Sequence, residues 1–311
     1  MPDFGDPGPA GCKGKIDFLF VISRSANMWA RQDQLAAAVP KFIDTIKMKF
    51  DDFDYHIMVV DGDGQTPGSG WGDQACNTVC PNLACEVGQD CCPIDNEALN
   101  GMPCCDDPSY PCYGLDVITQ CDQAWGAGSV FPAGKYTADK PCPIDGGGGR
   151  RYLEKGQTDL DKTFECIAKI GNGGYGALGQ ALTAAMQKPI NDIGGCNQDF
   201  LRDDALLMVT FIATNPDADD VLGSEGTPAE WAQAVIDAKH GDDKSVVMFN
   251  IGGCDCPPHD GECSPYDRLC MLTTMFPYHL QEDGLVDDYG PAFLEATGLV
   301  ETACAGFVVP G

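Results

Sequence analysis

Four apolar runs without strict polar alternation frame this chain, at residues 16–22, 55–60, 206–212 and 245–251. Runs of this length and make-up predict strands buried on both faces, the pattern of a parallel sheet. Between them the apolar period changes to three and four. Leu35, Val39, Phe42, Ile43 and Ile46 share one helical face, which Pro40 is expected to kink. Leu160, Phe164 and Ile167 form a second stripe behind Thr158-x-x-Asp161, read as a capping box. Leu178, Leu182, Ala185 and Met186 form a third. Thr227-Pro228-Ala229-Glu230 is a capping box with Pro at the first helical position. It opens a helix through Trp231, Val235 and Ile236 that Gly241 is placed to end. Leu269, Leu272 and Met275, then Phe293, Leu294, Leu299 and Val300, mark two further helices, and residues 150–153 a short edge strand.

Strands alternating with helices predict an α/β fold: a doubly wound, mostly parallel, Rossmann-like sheet with helices on both faces. Such sheets bind ligands at the carboxyl ends of their strands. The loops to inspect are therefore residues 23–27, 61–63, 213–220 and 252–256.

The periodic pattern stops between residues 61 and 149, and cysteine changes the picture there. Ten of the eighteen cysteines lie between Cys76 and Cys142. Only four His are present, and no paired Cys-x-x-Cys knuckles recur at zinc-finger spacing. An even cysteine count of this density predicts a framework of up to nine disulfides and an oxidising compartment, at the cell surface or outside it. We therefore expect a flexible lead over residues 1–14, tied down by Cys12, and a main domain over 15–308. A disulfide-rich irregular insertion, 61–149, interrupts that domain. Residues 1–6 carry neither the basic nor the apolar region of an export signal, which is expected outside the numbered chain or removed ahead of an added Met1.

The net charge of −28 excludes nucleic acid as a partner, since phosphate neutralisation needs a basic face. Anionic membranes would repel the chain, and no apolar run is long enough to span one. The acids are read as a solvated surface that also suits cations or basic partners.

The loop Ile22-Ser23-Arg24-Ser25-Ala26-Asn27-Met28, at the end of the first apolar run, resembles the strand and D-x-S-x-S-M loop of von Willebrand factor A-type (vWA) domains. More narrowly, residues 34–43, 164–171 and 200–207 are similar to secreted, cysteine-containing vWA proteins of myxobacteria and related deltaproteobacteria. The resemblance covers about residues 15–308, apart from the cysteine-rich block. It implies a metal-ion-dependent adhesion site, where oxygen ligands from three loops hold one divalent cation. In this chain Ser23 stands at the first Asp, and Ser25 and Asn27 stand at the two Ser. Asn172 falls near the Thr and Thr214 near the final Asp, with Asp217 or Asp219 close by. The family's charged ligands are thus replaced by neutral oxygens. Affinity for hard cations rises with ligand charge, so the site reads as degenerate, with no cofactor beyond weak Ca²⁺ or Mg²⁺.

The resemblance accordingly implies a non-enzymatic, extracellular interaction or adhesion module. Its partner would be a protein, a cell-surface ligand or another copy of the chain. A self-assembling surface layer or fibre, with acidic faces bridged by cations, is the alternative, and a hydrolase with an unrecognised site a third. Trp29, directly after the metal-type loop, is expected to anchor an interface if exposed.

Asp61 and Asp63, in Asp61-Gly62-Asp63-Gly64-Gln65, resemble the start of a calcium loop and border the same face. Thr66 and Gly72 occupy the positions where that loop needs Gly and Glu, so a glycine-rich turn is expected. Asp217, Asp219 and Asp220 read as a solvated acidic loop. His56 is expected in the core or at an edge, His240 at a helix end, and Cys254 and Cys256 beside His259 in disulfides. Ser23 and Ser25 have no assignable base, and the glycines from Gly171 to Gly176 lack the Lys of a phosphate loop.

Overall fold

A computed structural model describes residues 14–25, 28–49, 53–62, 119–132, 137, 141–171, 176–214, 217, 223–252 and 268–307. The strands are β1 (Lys15–Ile22), β2 (Asp54–Asp61), β3 (Leu153–Glu154), β4 (Leu206–Ile212), β5 (Val246–Ile251) and β6 (Tyr278–Glu282). They form one sheet in the order β3-β2-β1-β4-β5-β6. Only β3 is antiparallel, pairing His56 with Glu154 at the edge; the remaining pairs are parallel. The helices are α1 (Trp29–Lys49), α2 (Leu160–Ala168), α3 (Leu178–Met186), α4 (Lys188–Asn191), α5 (Pro228–Ala238), α6 (Arg268–Thr274) and α7 (Gly290–Gly306). The chain is therefore a mixed α/β protein around a mostly parallel sheet, and no helix among the described residues is long and apolar enough to cross a membrane.

The absence of polar alternation in the strands has a direct packing cause. Successive side chains point to opposite faces, and both faces are buried. Phe18, Phe20 and Ile22 join one hydrophobic cluster with Val39 of α1, Phe164 of α2 and Phe293 of α7. Leu19 and Val21 join a second with Leu182 of α3, Trp231 of α5 and Leu272 of α6. Edge-on aromatic contacts knit the first cluster, with Phe20 and Phe164 centroids 5.2 Å apart and Phe249 and Phe293 5.4 Å apart.

α1 begins at Trp29 and carries Pro40 inside it. Two other local readings change. The Thr158 capping box does not form. Helix α2 starts after Asp159, which adopts a left-handed φ of 47°, and the Thr158 N–H donates to Asp145 Oδ2 at 2.6 Å instead. β6 is an addition: Tyr-His-Leu-Gln-Glu is half-buried at the sheet edge and has no apolar run to announce it. The Thr227 box forms as read: Glu230 N–H donates to Thr227 Oγ1, and Thr227 N–H donates back to Glu230 Oε2. Gly241, at φ +87°, closes that helix with an N–H to Ile236 O.

The described part of the predicted insertion is docked on the sheet. Ser129 N–H donates to Val59 O at 2.7 Å, and Cys142 N–H donates to Val130 O. Cys142–Cys166 bonds this segment to α2, and Cys121–Cys196 bonds it to the turn after α4. Cys270 and Cys304 are in disulfides as well. Residues 63–118, with eight of the cysteines, lie outside the described residues.

At the amino ends of β1 and β2 two buried titratable groups oppose each other. Asp17 is pushed up to about 6 by burial, partly offset by the Arg202 guanidinium 2.8 Å away. His56 is pushed down to about 4 by burial and by Arg202. Its Nδ1 lies 3.0 Å from Phe200 O, which can only accept, so the neutral ring carries its proton on Nδ1. At neutral pH the 3.7 Å approach of His56 to Asp17 is therefore not an ion pair.

These shifts act on stability with opposite signs. Asp17, raised from 3.8, stabilises the fold fully below pH 3.8, and that contribution is lost as pH rises through 6. His56, lowered from 6.5, stabilises fully above pH 6.5, and that contribution is lost as pH falls through 4. Each is worth about 3 kcal/mol, so together they leave stability nearly flat over the shared window. Asp17→Asn should expose the His56 limb and make urea midpoints fall as pH drops from 6.5 to 4. His56→Gln should give the reverse slope, rising as pH drops from 6 to 4. Equal slopes in the two variants would refute the pairing.

Candidate functional site

The carboxyl ends of β1, β2 and β4 meet where the strand order reverses, between β1 and β4, the position at which open α/β sheets bind ligands. Backbone bonds lace this rim beyond the strands. Ser23 N–H donates to Ile212 O, Gly62 N–H to Ile22 O, and Ala213 N–H to Ile251 O.

On that rim the β1 loop turns inward. Ser25 N–H donates to Ser23 Oγ at 3.1 Å, and Met28 N–H donates to Ser25 O, which leads into α1. Ser25 Oγ lies 3.2 Å from Thr214 Oγ1, after β4, so hydroxyls from the two loops are joined across the strand-order reversal. Gly176 approaches closely enough that a Cβ there would sit 3.3 Å from Ser23 Oγ. Ser23 and Ser25 are buried, and Thr214 is half-buried.

Arg24, between the two serines, carries the charge at this site. Its guanidinium donates to Asp61 Oδ2 at 2.9 Å, and both side chains are 3 % exposed. Asp61 ends β2, so the pair links the first two strand ends beneath the rim. A positive charge is built into the loop at the place where the resemblance implies a bound cation, and the Asp61 carboxylate, 37 residues along the chain, answers it.

Asp217, read from the sequence as a carboxylate close to the metal loop and part of a solvated cluster, is fully buried. Its oxygens accept from Gly179 N–H at 2.8 Å, Ser224 N–H at 2.7 Å and Ser224 Oγ–H. It thereby satisfies a backbone donor in the first turn of α3 and pins the 223–226 turn to that helix. Burial raises its pKa above the usual carboxylate value, and these hydrogen bonds oppose the rise.

The described donors suit a hard cation poorly. They are neutral hydroxyls bonded to backbone and to one another, beside a guanidinium, while Asp61 and Asp217 are held by Arg24 and by backbone and Ser224 donors. Among the described residues no group of three or more His, Cys, Asp or Glu is gathered as a metal site would need. Asn27, Asn172, Asp63, Asp219, Asp220, Cys254, Cys256 and His259 lie outside the described residues.

Sequence reading missed Gln32. This side chain is 1 % exposed on α1; its Nε2 donates to Gly171 O at 2.7 Å, and its Oε1 accepts Gly171 N–H at 3.0 Å. It clamps the glycine-rich loop against the β1 loop, with a longer Nε2 contact to Ser23 O. The signal was a polar residue in line with Met28, Leu35 and Val39 on an otherwise apolar stripe.

The outer surface of the rim is apolar in places. Trp29, first residue of α1, is 48 % exposed and Leu285, in the turn after β6, is 63 % exposed. The two elements are tied together, since Arg31 donates to Val286 O and Gln34 to Asp287 O. His56 and His240 stand elsewhere, His56 buried beside Asp17 and His240 at the end of α5, 2.9 Å from Asp203. No protein-family model matches the chain, and no curated protein matches it.

Proposed function

We propose that this chain is a vWA-like, non-enzymatic interaction module of an oxidising, extracellular setting, which binds a protein or cell-surface ligand through the rim at the strand ends. On this reading the sheet is doubly wound, the stretch from 61 to 149 is a disulfide-rich insertion, and the adhesion-type loop is degenerate and works without a cation. One observation carries it. Where the strand order reverses, Ser23 Oγ accepts from Ser25 N–H and Ser25 Oγ meets Thr214 Oγ1, and among the described residues no base is bonded to these hydroxyls. That arrangement suits recognition and provides no activated nucleophile. Two disulfides between described residues and the absence of a membrane-crossing helix among them support the compartment.

The anchor of the proposed interface is Trp29. Its ring is about half exposed, so Trp29→Ala should change stability by less than about 1 kcal/mol. Loss of a central aromatic anchor should weaken attachment or self-association about tenfold or more. Attachment of purified protein to intact cells and sedimentation velocity, each in EDTA and in CaCl₂, measure both. The proposal expects binding that is equal in the two buffers and lost in Trp29→Ala. Assembly that requires Ca²⁺ and ignores the substitution would favour the self-assembling surface layer instead.

A further inference from the structure

A cleft of about 480 Å³ opens between α3 and α5, on the outer side of the second cluster and apart from the strand-end rim. Its floor is the edge of Trp231, which is fixed from several directions. Gly179 packs on the indole, Nε1–H donates to Glu225 O at 2.8 Å, and the Arg268 guanidinium sits 4.3 Å from the ring centroid. One wall is Trp125, carried by the segment that the Cys121–Cys196 bridge and the buried Asp122–Arg151 ion pair hold in place. Gly126 lets that wall lie directly on α3, where a Cβ would come within 2.2 Å of Ala185 N. The aromatic wall is therefore pre-organised.

The rest of the lining is rich in acceptors. Thr183 Oγ1–H is committed to Gly179 O at 2.8 Å, which leaves the hydroxyl oxygen to accept. Glu230, which also lines the cleft, uses Oε2 for the Thr227 cap. Glu225 adds a second carboxylate and Gln187 an amide, Gln180 Oε1 accepts from Glu225 N–H at 3.4 Å, and the lining contains no Lys or Arg. A lining of acceptors and carboxylates beside an aromatic face, in a chain of net charge −28, selects a donor-rich cation with an apolar stem.

We infer that this cleft receives a basic side chain of a partner polypeptide, with the planar guanidinium of arginine preferred because it can stack on Trp125 while donating to Glu225 and Glu230. The inference does not rest on the strand-end reading, and either can fail alone.

The test titrates the intact oxidised protein with N-acetyl-arginine methylamide, the lysine analogue, the neutral isostere N-acetyl-citrulline methylamide, and glucose. Indole and side-chain amide NMR signals report the site. The arginine probe should shift the Trp125 and Gln187 signals saturably and bind about tenfold more tightly than the citrulline probe. Glu225→Gln should weaken it about threefold, and raising NaCl to 0.5 M should narrow that gap. Trp125→Ala should abolish the shifts; if that variant melts early, Glu225→Gln decides. Equal binding of the citrulline probe, preference for glucose, shifts mapping away from the cleft, or no saturable binding would each overturn the assignment.

Discussion

Replacing Arg24 by Met is expected to destabilise the protein by about 3–5 kcal/mol, because it leaves the Asp61 carboxylate buried opposite an apolar chain. The pair is 3 % exposed on each side, so water cannot take over from the guanidinium. The loss falls at the end of β2, where Gly62 N–H donates to Ile22 O at 2.7 Å. The double replacement Arg24→Met with Asp61→Leu removes both charges and should recover most of the loss, since a buried ion pair is close to neutral against an apolar pair of similar volume. Chemical denaturation of the two single variants and the double variant gives the coupling directly. If Arg24→Met costs less than about 1 kcal/mol, the pair is not what holds the β1 loop.

The second large effect concerns the covalent frame. Removing Cys121–Cys196 by paired Ser substitution should cost about 4 kcal/mol by the loop-entropy estimate. The bridge spans 75 residues, and the Cys142–Cys166 bridge inside that span shortens the effective loop only moderately. A loss of this size corresponds to a drop in Tm of roughly 6 °C. Hydrogen exchange should rise first at Gly128 and Ser129, whose backbone bonds to Asn197 Oδ1 and Val59 O dock the segment on the body. An unchanged melt, with protection at Ser129 intact, would mean that packing of Gly126 on α3 suffices without the bridge.

The sheet was legible to the extent that burial leaves a mark on sequence. β1, β2, β4 and β5 are buried on both faces and read as near-continuous apolar runs, broken only by single polar residues such as Asp17 and His56. β6 lies at an edge with one flank open, so Tyr278, His279 and Gln281 are tolerated there and the run is broken. The Thr227 cap was legible because its hydrogen bonds are local in sequence. The Thr158 box failed because Asp145, thirteen residues away, competes for the same donor.

The site was legible in outline and less so in chemistry. Ser25 N–H lies on Ser23 Oγ, and Ser25 Oγ lies beside Thr214 Oγ1. Trp29, expected to anchor an interface if exposed, is about half exposed. What sequence could not supply was the use made of each charge. Asp61 reads as a turn or calcium-loop residue but faces Arg24, and Asp217 reads as solvated but carries Gly179 and Ser224 donors on its oxygens. Both partners are far along the chain or set by a turn that no periodicity encodes. Disulfide pairing is opaque for the same reason, because eighteen cysteines admit a very large number of connectivities.

On the proposed reading the strand-end site works without a metal ion, with the Arg24 charge answered by Asp61. Isothermal titration calorimetry of the oxidised protein with Mg²⁺ and with Ca²⁺ tests it most directly. No saturable binding tighter than about 1 mM is expected at this site, and the same isotherm for wild type and Ser25→Ala. A micromolar affinity that Ser25→Ala abolishes would contradict it.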